Sequence, residues 1–178
     1  MRSLFTFLFI FCFASIYAQS YQSQQATITF FSEAAIEDIA ATNFNATSVF
    51  NTETGEIEFL VQMNGFQFER SLMQQHYNER FMETAQYPAA SFVGAVKGFE
   101  SAMQGKPRVS AKGKLTIHGQ TREVEIKGSM TIVNEIITIS SSFTIRLEDY
   151  KIKIPKLLWQ NVTESVEVKI EFTYVPLE

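Results

Sequence analysis

The chain has 178 residues, a formal net charge of −4 and a single cysteine. This mildly acidic balance, with no cluster of Lys and Arg, argues against nucleic acid or an anionic membrane surface as a partner. The length predicts a single domain after a short leader.

The first residues have the order of a secretory signal peptide. Arg2 supplies a positive charge, an apolar run follows, and small residues end the segment at Ala18. The apolar run is too short to span a bilayer, so a membrane anchor is the less favoured alternative. We therefore expect cleavage near Ala18 (a signal peptide over residues 1–18), one domain over residues 19–178, and a periplasmic or secreted location. Cleavage would also remove Cys12, so no disulfide is expected in the mature fold.

The elements that follow are predicted to be mostly β-strands, because apolar and polar residues alternate along them. The clearest case is residues 165–174, where five apolar side chains face one way and five polar ones the other. Such alternation is typical of antiparallel strands with one dry and one wet face. In chain order, strands are predicted near residues 25–31, 34–42, 45–51, 56–63, 89–98, 107–117, 121–133, 135–147 and 164–175.

One segment, residues 69–84, departs from this period of two. Its apolar residues Leu72, Met73, Tyr77 and Phe81 follow a helical spacing, which predicts one short helix. Many antiparallel strands with a single inserted helix fit an all-β fold, either a closed barrel or a sandwich.

Residues 113–121, GKLTIHGQT, contain one of the two histidines. Gly119 supplies the positive φ that a tight hairpin after Ile117 needs, so His118 is expected on an exposed turn. A metal or catalytic role would need partners, but the other histidine, His76, lies far along the chain and no mature cysteine is expected. We therefore predict no metal site, no cofactor and no catalytic role for His118.

Three motifs occur in order along the chain: the helical segment LMQQHYNERFMET, the strand start YPAASFVG and the hairpin GKLTIHGQT. Together they resemble the YceI-like family of exported bacterial lipid- and polyisoprenoid-binding proteins. FTIRLEDYKI resembles a later strand of that family less closely. The similarity covers nearly all of residues 25–175. It implies an up-and-down antiparallel, lipocalin-like β-barrel of about eight strands with the helix near one end.

The resemblance also implies a ligand, a long isoprenoid or other lipid chain held in the barrel, and gives no catalytic residue set. A barrel of eight strands is about the size that either fills its interior or holds one slender ligand. Aromatic residues and adaptable methionines gather around the predicted helix, and strand alternation turns further apolar residues inward. We predict a cavity-lining, ligand-binding set of Phe66, Phe68, Leu72, Met73, Tyr77, Phe81, Ala90, Phe92, Leu115, Ile117 and Phe143.

Two alternatives to this function stay open. A secreted structural or interaction domain with a filled barrel would show the same strand pattern. An enzyme that uses His76 with a helix carboxylate as a general base would show the same helix, although such a histidine is more often structural. The favoured prediction is a non-enzymatic carrier or buffer for a polyisoprenoid, an isoprenoid quinone or another lipid chain, with no nucleic acid or metal partner.

Overall fold

A computed structural model of the chain describes residues 20–33, 38–99, 108–154 and 164–177. The predicted signal peptide lies outside the described residues. The strands are β1 (Ser20–Ser32), β2 (Ile39–Asn43), β3 (Ala46–Asn51), β4 (Glu56–Gln62), β5 (Phe66–Phe68), β6 (Ala89–Lys97), β7 (Arg108–Ile117), β8 (Gln120–Val133), β9 (Ile136–Arg146) and β10 (Ser165–Pro176). The helical parts are α1 (Ser71–His76), a π-helical turn (Tyr77–Phe81) and 3-10 turns at Met63–Gly65 and Leu147–Tyr150.

Eight of these strands form a closed antiparallel barrel. Around the barrel the order is β1, β3, β4, β6, β7, β8, β9 and β10, and β10 pairs back with β1. Each barrel strand therefore has a hydrogen-bonded neighbour on both sides, which protects the strand edges. The predicted lipocalin-like barrel of about eight strands, with one short helix within residues 69–84, is confirmed. No helix in the described ranges is both long and apolar enough to cross a membrane.

Two further strands extend the wall at the end of the barrel where the helix lies. The start of β1 pairs with β3, while its later half pairs with β2, and β5 adds to the outer side of β2. Asn43 is fully buried where the chain leaves β2. Its Nδ2 donates to the carbonyl oxygen of Gln62 at 2.7 Å, and its Oδ1 accepts from the backbone N–H of Asn45 at 2.6 Å. These bonds fix the corner from which the extra strands depart.

The other end of the barrel is filled by side chains that are at most 1% exposed. We call this cluster the packed end; it consists of Phe50, Ile57, Met130, Ile137, Phe172 and Tyr174. The hydroxyls of Tyr174 and Ser48 are 2.8 Å apart inside it, and the Ser48 hydroxyl donates to the carbonyl oxygen of Glu58 at 2.7 Å. Burial raises the pKa of Tyr174, so its hydroxyl is neutral. The packed end is a conventional core with its polar atoms paired.

Candidate functional site

Between the packed end and the helix the barrel contains a cavity of about 320 Å³. This volume is within the range of about 300–1,000 Å³ that small-molecule sites occupy. Two members of the packed end, Ile57 and Phe172, form part of its wall, and the helical segment contributes Tyr77, Phe81 and Met82. α1 adds Met73 and His76, β5 adds Phe66 and Phe68, and most of the remaining wall comes from inward-facing residues of the barrel strands.

The wall of the cavity is apolar almost throughout. Of the described residues that line it, none is Asp, Glu, Lys or Arg, and His76 is the one ionisable side chain apart from a tyrosine. Ser32, Ser91 and Ser141 add the few other polar side chains. A charged group on a ligand would lose its hydration here without gaining a countercharge, whereas a hydrocarbon chain loses nothing by leaving water.

The helix is fixed to β5 by one side chain. Gln74 donates from Nε2 to the carbonyl oxygen of Phe66 at 2.7 Å, and its Oε1 accepts from the backbone N–H of Phe68 at 3.2 Å. Gln74 thereby substitutes for a neighbouring strand on the free side of β5. The same contacts hold the inner face of α1, with Met73 and His76, against the cavity.

The π-helical turn orients the residues that follow α1. The backbone N–H of Met82 donates to the carbonyl oxygen of Tyr77 at 2.9 Å, five residues back. This turn is wider than an α-helical one and is often found at functional sites. The turn brings Tyr77, Phe81 and Met82 onto the side of the helical segment that faces the barrel interior, so all three line the cavity.

Tyr77 lies in a cluster of aromatic rings. Its ring centroid is 5.8 Å from that of Phe30, 5.7 Å from that of Phe66 and 5.0 Å from that of Phe68. The side chain is 7% exposed, and its hydroxyl has no hydrogen-bond partner among the described residues. Burial raises the pKa of Tyr77, so the hydroxyl is neutral.

A pair of glycines lets β6 and β7 approach closely beside the cavity. Gly94 and Gly113 face each other across the two strands. A Cβ atom on Gly94 would lie 2.5 Å from the carbonyl oxygen of Lys112, and one on Gly113 would lie 2.3 Å from that of Val93. Phe92 covers the pair, because either Cβ would also come within 3 Å of its ring. Only glycine fits at both positions, and the Phe92 ring packs over the two glycines as a result.

The cavity wall includes ten of the eleven residues predicted to line it: Phe66, Phe68, Met73, Tyr77, Phe81, Ala90, Phe92, Leu115, Ile117 and Phe143. Their contact with a ligand stays a prediction. Leu72 was wrongly assigned to the wall, since its residue is 60% exposed. Met73 and Tyr77, four apart, occupy the inner face of the helix, and the residue before Met73 is rotated away from it. The prediction omitted wall residues on other strands, such as Ile139 and Val168, although their alternation marks them as inward-facing.

The expectation that His118 lies on an exposed turn was wrong, although the turn itself is present. His118 and Gly119 have φ of +50° and +69°, as in a tight hairpin, but His118 is only 7% exposed. Its Nε2 lies 3.0 Å from Oε2 of Glu83 and its Nδ1 3.3 Å from the carbonyl oxygen of Tyr150, while the ring of Tyr87 lies 4.1 Å away between centroids. Residues distant in sequence cover the hairpin, which local alternation does not reveal. His118 thus connects three segments from outside the cavity wall.

The candidate general base, His76, lines the cavity without a carboxylate beside it on the wall. Glu79, on the helical segment, accepts instead from Nε2 of Gln75 on the exposed face. Within the described ranges, no group of three or more His, Cys, Asp or Glu residues is arranged to hold a metal ion.

The fold and cavity define a class of protein, the closed antiparallel β-barrel with an apolar interior beneath a short helix. A family model described as a YceI-like domain matches residues 20–174, and the chain belongs to this family. The family predicted from the sequence motifs is confirmed.

Several solved structures share this fold. A polyisoprenoid binding domain from Saccharophagus degradans, implicated in plant cell wall breakdown, has a TM-score of 0.76 and 16% identity, over 89% of this chain and 99% of that one. BcnA from Burkholderia cenocepacia has a TM-score of 0.69 and 17% identity, over 83% of this chain and 95% of BcnA. The Campylobacter jejuni YceI protein has a TM-score of 0.62 and 13% identity, over 82% of this chain and 89% of the Campylobacter protein. No curated protein is detectably similar to this chain in sequence.

Proposed function

We propose that this protein binds a long apolar ligand, namely a polyisoprenoid, an isoprenoid quinone or another lipid chain, inside the barrel. The observation that carries this proposal is a cavity of about 320 Å³ whose described wall contains no Asp, Glu, Lys or Arg. A polyisoprenoid binding domain with the same fold supports the choice of a lipid. No chemical step on the ligand is part of the proposal.

The free energy of binding would come from transfer of hydrocarbon out of water. Each buried methylene contributes about 0.8 kcal/mol, so an isoprene unit of roughly five carbons contributes about 4 kcal/mol. A few such units outweigh the cost of immobilising the chain. Met63, Met73 and Met82 all line the cavity, and their flexible side chains can adapt to the irregular outline of a branched chain.

The proposal includes export and a role as a carrier or buffer. The order of charge, apolar run and small residues up to Ala18 supports export. A long isoprenoid is insoluble in water. An exported protein that encloses the chain would keep the lipid dispersed outside the cytoplasm and allow its transfer. The alternative, a structural barrel with a filled interior, accounts for the packed end but not for the open space beside it.

The experiment is to express the full chain with its leader in a bacterium, purify the exported protein and measure its mass natively and after denaturation. A difference that matches an extractable lipid is the expected result. The protein stripped of lipid should bind an added isoprenoid with a stoichiometry of one. Protein that carries no lipid and binds none of the isoprenoids offered would favour the filled structural barrel, and recovery of the protein only in the cytoplasm would refute export.

A further inference from the structure

Tyr77 carries the one buried side-chain polar atom without a hydrogen-bond partner in the described part of the chain. A buried hydroxyl without a partner destabilises a fold and calls for an explanation. Phenylalanine would make the same ring contacts with Phe30, Phe66 and Phe68 and would avoid this cost. The other deeply buried tyrosine hydroxyl of the barrel interior, on Tyr174, is paired with Ser48. The unpaired hydroxyl is therefore specific to the cavity end of the barrel.

The geometry points to a ligand that pairs with this hydroxyl, so we infer that the lipid carries a neutral oxygen acceptor, as in a ketone, a quinone, an ester or an ether. The inference rests on the proposed function and specifies the ligand further. The Tyr77 side chain lines the cavity at the start of the π-helical turn, while its hydroxyl oxygen is covered by neighbouring side chains. Its neutral hydroxyl donates one hydrogen bond, which an acceptor on the ligand would satisfy.

The absence of cationic side chains from the described wall favours a neutral group on the ligand over an anionic one. No Lys or Arg is found among the described lining residues. A phosphate or carboxylate at the depth of Tyr77 would therefore be desolvated with a single neutral donor as its partner. A ligand reaches the hydroxyl only if side chains that cover it move, and the flexible Met73 and Met82 lie on the same helical segment and on the cavity wall.

The test compares the wild-type protein with Tyr77→Phe, using two probes: farnesene, an isoprenoid hydrocarbon, and farnesylacetone, an isoprenoid ketone. The affinity ratio of ketone to hydrocarbon is measured for both proteins after removal of lipid, so differences in chain length cancel. The ratio should fall about tenfold in Tyr77→Phe, the value of one neutral hydrogen bond in a dry site. Farnesene affinity should be unchanged, and the empty variant should melt at a higher temperature than the empty wild type.

The matched control is Tyr87→Phe, which removes a hydroxyl that accepts from Gln86 away from the cavity wall and should leave the ratio unchanged. If Tyr77→Phe does not fold, the carbonyl stretch of farnesylacetone bound to the wild type decides: a shift to lower frequency than in hexane supports the inference. An equal ratio in both proteins, an unshifted stretch, or tighter binding of farnesoic acid than of the ketone overturns it. Failure of both probes to bind either protein refutes the proposed function instead.

Discussion

Replacing Ala90 with phenylalanine distinguishes a container from a filled barrel. Ala90 is buried on β6 and lines the cavity, so the new ring would occupy space that a ligand would otherwise fill. The ring is about the size of one isoprene unit, whose burial is worth roughly 4 kcal/mol. Loss of that burial corresponds to about 1,000-fold weaker binding. The lipid-free variant should melt at the same temperature as the wild type or a few degrees higher, because the new ring fills part of the cavity. A gain of about 1 kcal/mol in the free energy of unfolding raises Tm by roughly 2–4 °C for a protein of this size.

The assay measures isoprenoid affinity and the melting temperature of the lipid-free protein. Val93→Phe is the control, because Val93 is 53% exposed and lies on the same strand; its affinity and melting temperature should match those of the wild type. A filled interior would respond differently, since an added ring would overpack it and cost about 1–3 kcal/mol. Unchanged binding combined with a lower melting temperature in Ala90→Phe would refute the container.

Three further predictions concern the buried polar atoms. Ser48→Ala should lower the free energy of unfolding by about 1–3 kcal/mol in urea titrations, because it leaves the Tyr174 hydroxyl buried without a partner; the double variant with Tyr174→Phe should lose less than the two single variants combined. His118→Asn should cost about 1–3 kcal/mol by the same measurement, since the shorter side chain cannot span its contacts to Glu83 and the opposite backbone; a loss below about 0.5 kcal/mol would contradict a structural role. Burial raises the pKa of Tyr77 and Tyr174 in the folded state, so stability should be fully present below the unfolded tyrosine pKa of about 10 and fall as pH rises above it; tyrosinate absorbance that appears before unfolding and is lost in Tyr77→Phe or Tyr174→Phe would contradict this.

The strands and their inward faces could be predicted from the sequence because alternation is a local signal. The run from Ser165 to Tyr174 shows it most clearly, and the residues predicted for β6 and β7 lie on the cavity wall as their alternation requires. β5 was not predicted, since a strand of three residues is too short to display a period. The pairing of β1 with β3 at its start and with β2 in its later half was also not predictable, because it depends on how the strands are arranged in space and not on the local sequence.

The errors concern tertiary contacts. Leu72 and Met73 are adjacent and equally apolar, and only the docking of α1 through Gln74 determines which of them faces inward. His118 has the turn conformation that its neighbour Gly119 indicates, but its burial depends on Glu83 and on a turn 32 residues further along the chain. The unpaired hydroxyl of Tyr77 left no signal in the sequence, where a tyrosine at a helical spacing reads as an ordinary core residue.

Whether a lipid chain lies inside the barrel can be measured by intermolecular NOEs between a ¹³C-labelled isoprenoid and the methyl groups of the protein. We expect NOEs from the isoprenoid to methyls of the cavity wall, including Ile139 and Val168, and none to Val49 or Val93, which are exposed on the outer surface. NOEs confined to outer-surface methyls, or their absence from the cavity wall when the isoprenoid is bound, would contradict it.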